Sequence, residues 1–497
     1  MRGGGAPAAN RELTDMERSG SGTSGGHGAR PAAHELARYE ALFAARTRGM
    51  KSSAMREMMA LTERPDVISL AGGLPDTSTF PGGLYAELMA EVARGSTARA
   101  LQYGPTEGMA ATVGCIVEVM AAEGTIVDPS EVIVTTGGQQ VLDLVCKTLI
   151  DPGDVIVAEA PTYPGAVPTF SAYQADVEQI EIDADGMPID ALEETLDLLE
   201  TQGRRPKFIY TIPNFQNPGG VTMSLPRRRR LIEVAREREL LILEDNPYGL
   251  LRYEGEPLPT LHHLDAQAAG RGGASDLVIY LGTFSKILAP GLRLGWAVAP
   301  RPVLEKLNLG KQGADLCSSP VTQMFVAAYF EHGEAHGMGW RGYVERLCDL
   351  YRARRDTMLE ALGQHFGEDA GWTRPEGGLF IWATLDERID TTDLLALARN
   401  SKGVAFVPGR AAYMDGHSGS SSMRLNFAGI PEAQITEGIR RIGSAISEQL
   451  GLLGSLTGSA HGPAPAAPVE RSPAPLADVV ALPRREDAGG PRRLKDR

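Results

Sequence analysis

The segment 280–296, YLGTFSKILAPGLRLGW, places Thr283, Ser285, Lys286 and Arg293 within eleven residues. Two hydroxyls, a lysine and an arginine just past an apolar, strand-like run suit an anionic phosphate. A lysine in that position can also act as a nucleophilic amine if its pKa falls, for instance toward an aldehyde cofactor. Three other stretches have the same form, a polar motif at the end of an apolar run. The first, TTGGQQV (135–141), passes through two glycines into a helical pattern, where free backbone N–H groups make an anion site. In LLILEDNPY (240–248), Asp245 follows an apolar run and can keep a pyridinium nitrogen protonated. In YTIPNFQNPGG (210–220), Asn217 can donate to a phenolate oxygen. Each has a plainer reading alone: a surface lysine, a change of chain direction, a capping aspartate, a turn asparagine.

The runs that must position these residues are short and β-branched: 131–136, 154–160, 207–212, 240–245 and 277–282. Helical stretches such as 139–150 and 225–239 separate several of them, which argues for a parallel sheet covered on both faces. Loops at the C-terminal ends of such strands are where an α/β fold places its ligand. Ser224 and Pro226 mark a helix start, and the run Arg227 to Arg230 then reads as a solvated helix face. Beyond residue 340 the texture changes to a long helical pattern (344–366), a Gly-Gly strand (377–383), a helix (391–400), a strand (403–407) and a last helix (431–450). This reads as a second, smaller α/β domain. The ends, 1–33 and 453–497, are rich in Gly, Ser, Ala and Pro and read as disordered tails.

Composition narrows the class. The 497 residues carry a formal charge of −14, which argues against a nucleic-acid partner. Cys115, Cys146, Cys317 and Cys348 show no CxxC spacing, so neither a zinc site nor a disulfide framework is expected. No run approaches the ~18 apolar residues of a membrane span, and no apolar signal core follows Met1. The expectation is a cytoplasmic enzyme without membrane or metal.

Order and spacing together resemble the fold-type-I, class I/II aminotransferases, within them the 2-aminoadipate and kynurenine transaminase branch, which includes broad-specificity enzymes for aromatic and branched amino acids. The resemblance covers roughly 36–450. It rests on AGGLPDTSTFP (71–81), LQYGPTEG (101–108), APTYPG (160–165), PNFQNPGG, EDNPY, TFSK, GLRLGW, KQGAD (311–315), GGLFIW (377–382), VAFVPG (404–409) and MRLNFA (423–428). It implies PLP fold type I: a large domain (71–324) with a mainly parallel seven-stranded sheet sandwiched by helices, and a smaller α/β domain (325–452), with 34–70 forming an N-terminal arm and part of the small domain.

The resemblance also implies roles. Lys286 would hold pyridoxal 5′-phosphate (PLP) and move the substrate proton, Asp245 would pair with the ring nitrogen, and Tyr163 would stack on the ring. Asn217 and Tyr248 would bond the ring oxygen. Gly138, Gln139, Thr283, Ser285 and Arg293 would hold the phosphate, joined by Tyr103 from the neighbouring subunit of a homodimer. Arg424 would clamp the substrate α-carboxylate near Gly73 and Asn217, and Arg56 would face the substrate side chain. Plainer readings are core aromatics for Tyr103 and Tyr163, a strand-face ion pair for Arg424 and a solvated helix position for Arg56. Two positions depart from the family pattern. Gly138 stands where Ser is usual, and Gly219 where Thr is usual, which is expected to loosen the loop carrying Asn217. The implied function is amino transfer from an L-amino acid (2-aminoadipate, glutamate, aromatic or branched-chain) to a 2-oxo acid such as 2-oxoglutarate. The same scaffold also serves PLP-dependent C–S lyases and decarboxylases.

Overall fold

The computed structural model describes residues 39–40, 42–50, 66–270 and 273–457. Of the described residues, those up to Leu450 form one compact unit. After a two-residue strand β1 (Ile68–Ser69), seven strands build the main sheet: β2 (Val132–Thr135), β3 (Val155–Ala160), β4 (Asp176–Glu181), β5 (Phe208–Thr211), β6 (Leu241–Asp245), β7 (Val278–Thr283) and β8 (Gly295–Val298). Their spatial order is β2-β8-β7-β6-β5-β3-β4, and β8 alone runs against the others.

Side chains alternate between two buried faces, as strand geometry requires. Ile156, Phe208, Tyr210, Leu243 and Ile279 pack on one side with the helix Gly138–Leu149. Val155, Val157, Ile209, Ile242 and Val278 pack on the other with the helices Ile189–Thr201 and Leu225–Glu237. Both faces are covered, which is why these strands read as continuous apolar runs.

Four further strands, β9 (Gly371–Trp372), β10 (Phe380–Thr384), β12 (Val407–Pro408) and β13 (Ser422–Asn426), form an antiparallel sheet in the order β12-β13-β10-β9. Strand β11 (Val404–Ala405) pairs in parallel with β1. The helix Trp340–His365 buries Tyr343, Leu347, Tyr351, Met358 and Leu362 in the core that underlies this sheet. The strand expected from 377 begins three residues later. Gly377 and Gly378 instead press against the Asn217 loop, where a Cβ on Gly377 would lie 2.3 Å from the Leu251 carbonyl and 2.4 Å from the Phe215 ring. The final helix, Glu432–Thr457, runs into the first residues of the segment read as a C-terminal tail. The rest of that tail, residues 1–33 and Arg56 lie outside the described residues.

The arginine run 227–230 is not a uniformly solvated face. Arg227 pairs with Asp183 and Arg230 with Glu193 at the surface, but Arg228 is fully buried. Its guanidinium donates to the carbonyls of Met223, Pro213 and Pro259 at 2.8–2.9 Å and to Asn214 Oδ1 at 2.7 Å. Four acceptors then depend on one side chain, and a buried acceptor without a donor costs about 1–3 kcal/mol. Arg228→Ala is therefore expected to lower stability by about 3 kcal/mol or more, read as a fall in urea midpoint. An unchanged midpoint would mean the side chain is solvated.

Candidate active site

Five of the strand ends converge on one cavity of about 880 Å³. After β2 the chain turns at Gly137, whose φ of 80° is in the left-handed region that glycine tolerates. Gly138 and Gln139 then open a helix, so their N–H groups have no intrahelical carbonyl and carry the positive end of its dipole. A Cβ on Gly137 would lie 2.5 Å from a guanidinium nitrogen of Arg293, so the missing side chain is what lets that arginine close over the turn. Arg293 has φ 49° and donates to the Pro290 carbonyl. Thr283 and Ser285, at the end of β7, share a hydroxyl–hydroxyl bond of 2.9 Å. The Gln139 side chain reaches away to Thr169 Oγ1 at 2.7 Å, which leaves its backbone as the group available to an anion.

Lys286 lies one residue beyond Ser285, and its Nζ donates to the Gly73 carbonyl at 2.6 Å. Burial, with the Arg424 and Arg293 cations nearby, brings its pKa down to about 8. Asp245 ends β6 almost wholly buried. Burial pushes its pKa up to about 7, partly offset by the Tyr210 hydroxyl, which donates to Oδ2 at 2.7 Å. Tyr163 lines the wall, and a Cβ on Gly165 would strike its ring at 2.4 Å.

Asn217 links the two sheets. Its Oδ1 accepts from Arg424 Nη1 at 3.0 Å, and its Nδ2 donates to the Tyr248 hydroxyl at 3.5 Å. Arg424 sits on β13, fully buried, with its guanidinium 4.4 Å from the centre of the Phe380 ring and Nη2 donating to the Ala71 carbonyl at 2.8 Å. Burial lowers its pKa to about 10, so it remains a cation at neutral pH. These contacts, to an amide oxygen, a carbonyl and a ring, are buried rather than on a solvated strand face.

Twelve residues singled out from the sequence thus line one cavity, from Gly73 to Arg424. Tyr103 does not join them and is 77% exposed. The loop carrying Asn217 is held rather than loosened at Gly219. The Gly219 N–H donates to Gln216 Oε1 at 2.6 Å, and Gln216 Nε2 donates to Glu159 at 3.1 Å and to the Pro161 carbonyl at 2.7 Å. A Cβ at 219 would come within 2.9 Å of Gln216 Oε1, so glycine and glutamine fit each other here. Tyr210, Glu159 and Gln216 had no role in the sequence reading. The available signal was a tyrosine hydroxyl and a carboxylate inside apolar strands, both of which need partners when buried.

The model for aminotransferase class I and II matches residues 65–442. The chain belongs to that family. It is an aminotransferase with PLP as its cofactor. The aminotransferase is 44% identical over 413 residues to aromatic-amino-acid aminotransferase 1 of Thermococcus litoralis, covering 83% of this chain and 95% of that protein. It is 39% identical over 404 residues to the 2-aminoadipate transaminase of Thermus thermophilus, covering 81% and 96%. Among solved structures it resembles the Pyrococcus horikoshii kynurenine aminotransferase in complex with PMP, at TM-score 0.76 and 40% identity over 84% of this chain and 99% of that one. The cavity fits the cofactor. First-turn amides, two hydroxyls and an arginine suit its phosphate, the buried carboxylate suits a protonated ring nitrogen, and the amine of depressed pKa suits its aldehyde.

Proposed function

We propose that this aminotransferase moves an amino group from an L-amino acid, among them 2-aminoadipate, glutamate, aromatic and branched-chain amino acids, to a 2-oxo acid such as 2-oxoglutarate. The observation that carries this reading is the convergence of Lys286, Asp245 and Arg424 on one cavity. When bound, PLP supplies an aldehyde that takes up the amino group and a ring that delocalises the electron pair left on Cα. Asp245 holds the ring nitrogen protonated, which a carboxylate buried beside Tyr210 can do without competition from water. Tyr163 would stack on the ring, and Asn217 with Tyr248 would bond its phenolic oxygen. Gly138, Gln139, Thr283, Ser285 and Arg293 hold the phosphate.

Arg424 presents its guanidinium to the substrate α-carboxylate as a fork already fixed by Asn217 and Ala71, so little side-chain entropy remains to be lost. With the carboxylate anchored and Gly73 beside it, the Cα proton faces Lys286, which removes it and returns it as general base and then acid. Two half-reactions in one site make the kinetics ping-pong. We read 71–324 as the cofactor domain and 325–452 as the smaller domain that supplies Arg424. Exposed Tyr103 supports a homodimer in which it reaches the neighbouring subunit's phosphate, in a cytoplasmic enzyme.

Donor choice rests on Arg56. A guanidinium facing the side chain favours acidic donors, in keeping with a relative named for 2-aminoadipate. Arg56→Ala is expected to raise KM for 2-aminoadipate about 10-fold, the worth of one lost ion pair, with little change for leucine. An unchanged ratio of the two KM values would remove Arg56 from the substrate site.

A further inference from the structure

The Gly137–Gly138 turn is fastened from behind by a charged cluster that does not line the cavity. Lys311 is fully buried at the end of the helix Arg301–Gln312, and its Nζ lies 2.6 Å from Asp315 Oδ1. Asp315 Oδ2 accepts from the Thr136 hydroxyl at 2.7 Å and from Gln140 Nε2 at 2.8 Å. Gln140 Oε1 accepts from the Thr136 backbone N–H at 2.7 Å and from Lys311 Nζ at 3.2 Å. The Thr136 carbonyl takes a long bond from Arg293 Nη2 at 3.5 Å. Thr136 and Gln140 bracket the residues whose N–H groups face the anion, so the ion pair fixes both ends of the turn.

We propose that Lys311 and Asp315 are positioning residues for the phosphate cradle, tightening PLP binding without touching it. This rests on the reading that the cofactor phosphate sits at Gly138 and Arg293. Burying the Lys311 ammonium against a partly exposed Asp315 is costly to keep, and its return here is rigidity where a small shift of two amides would weaken an anion site. The pair acts on the phosphate end alone, so it should matter for PLP and not for pyridoxal, which has the same ring and aldehyde.

The experiment is equilibrium titration of the cofactor-free full chain with PLP and with pyridoxal, for wild type, Thr136→Val, Lys311→Met, Asp315→Asn and Arg293→Ala. Thr136→Val removes one hydroxyl at an exposed position and leaves folding intact. It is expected to raise the PLP Kd about 5-fold, and Lys311→Met about 10-fold, the range for losing one and two polar contacts. Pyridoxal Kd should stay within about 2-fold of wild type, below the effect of one hydrogen bond. For Thr136→Val and Lys311→Met the kcat at saturating PLP should also be held. If Arg293→Ala lowers the preference for PLP over pyridoxal while Thr136→Val and Lys311→Met do not, the brace is refuted and the cradle stands. If Arg293→Ala also leaves that preference unchanged, the phosphate is elsewhere and the reading beneath the proposal falls. Equal weakening of both ligands would show a general structural role and overturn the inference.

Discussion

Replacing Lys286 with Ala is expected to reduce kcat by about 10⁴-fold or more, since one residue supplies both the amine that holds the cofactor and the base that moves the substrate proton. The loss should not come from misfolding. Lys286 makes one bond to the Gly73 carbonyl, and its ammonium is already disfavoured by burial beside Arg424 and Arg293. Lys286→Arg separates charge from chemistry, because it keeps a cation but no amine that deprotonates, and its kcat should fall as far. In the cofactor-free wild type, the rate of capture of PLP should rise with pH through about 8, where the folded-state amine becomes neutral and nucleophilic. Retention of a tenth of wild-type kcat by Lys286→Ala would remove it from the chemistry.

Asp245→Asn should give the second largest effect, about 10²–10³-fold in kcat, the usual worth of one preorganised electrostatic group. Its effect on stability should have the opposite sign. The folded-state pKa of Asp245 is raised to about 7 from an ordinary carboxylate value. Between the two values the unfolded chain ionises more readily than the folded one, so the group destabilises the cofactor-free protein as pH rises through that window. The penalty is complete above about 7 and absent below the unfolded pKa. Neutral Asn avoids it. Thermal unfolding of the cofactor-free variant at pH 8 should therefore be at or above wild type, with the difference vanishing near pH 4. A variant that lost activity and stability together would make Asp245 a structural acid.

The parts of this fold legible in sequence are those whose burial is uniform. Strands β2, β3, β5, β6 and β7 were visible as β-branched runs because both faces of the sheet are covered. Strand β4, DVEQIE, was not visible, since at the sheet edge its burial is partial and its side chains half polar. Strand β8 was hidden because its first two residues, Gly295 and Trp296, close a motif read for its chemistry. The same logic divides the site. Lys286, Asp245 and Asn217 stand at strand ends, where a polar residue after an apolar run is conspicuous. Their supports are not. Arg228 looked like a surface charge within a run of four arginines, and its burial depends on carbonyls brought together by tertiary contacts at Pro213 and Pro259. Glu159 and Gln216 are 57 residues apart in sequence, and nothing local marks either as the other's partner.

The most direct test of amino transfer is an absorbance spectrum of the PLP-loaded protein, recorded before and after L-glutamate or L-2-aminoadipate and again after 2-oxoglutarate. The account predicts that the long-wavelength cofactor band is lost on adding the amino acid and restored by the oxo acid, with no release of ammonia. A band that persists with every donor, or that disappears with release of ammonia or carbon dioxide and is not restored by any oxo acid, would contradict it.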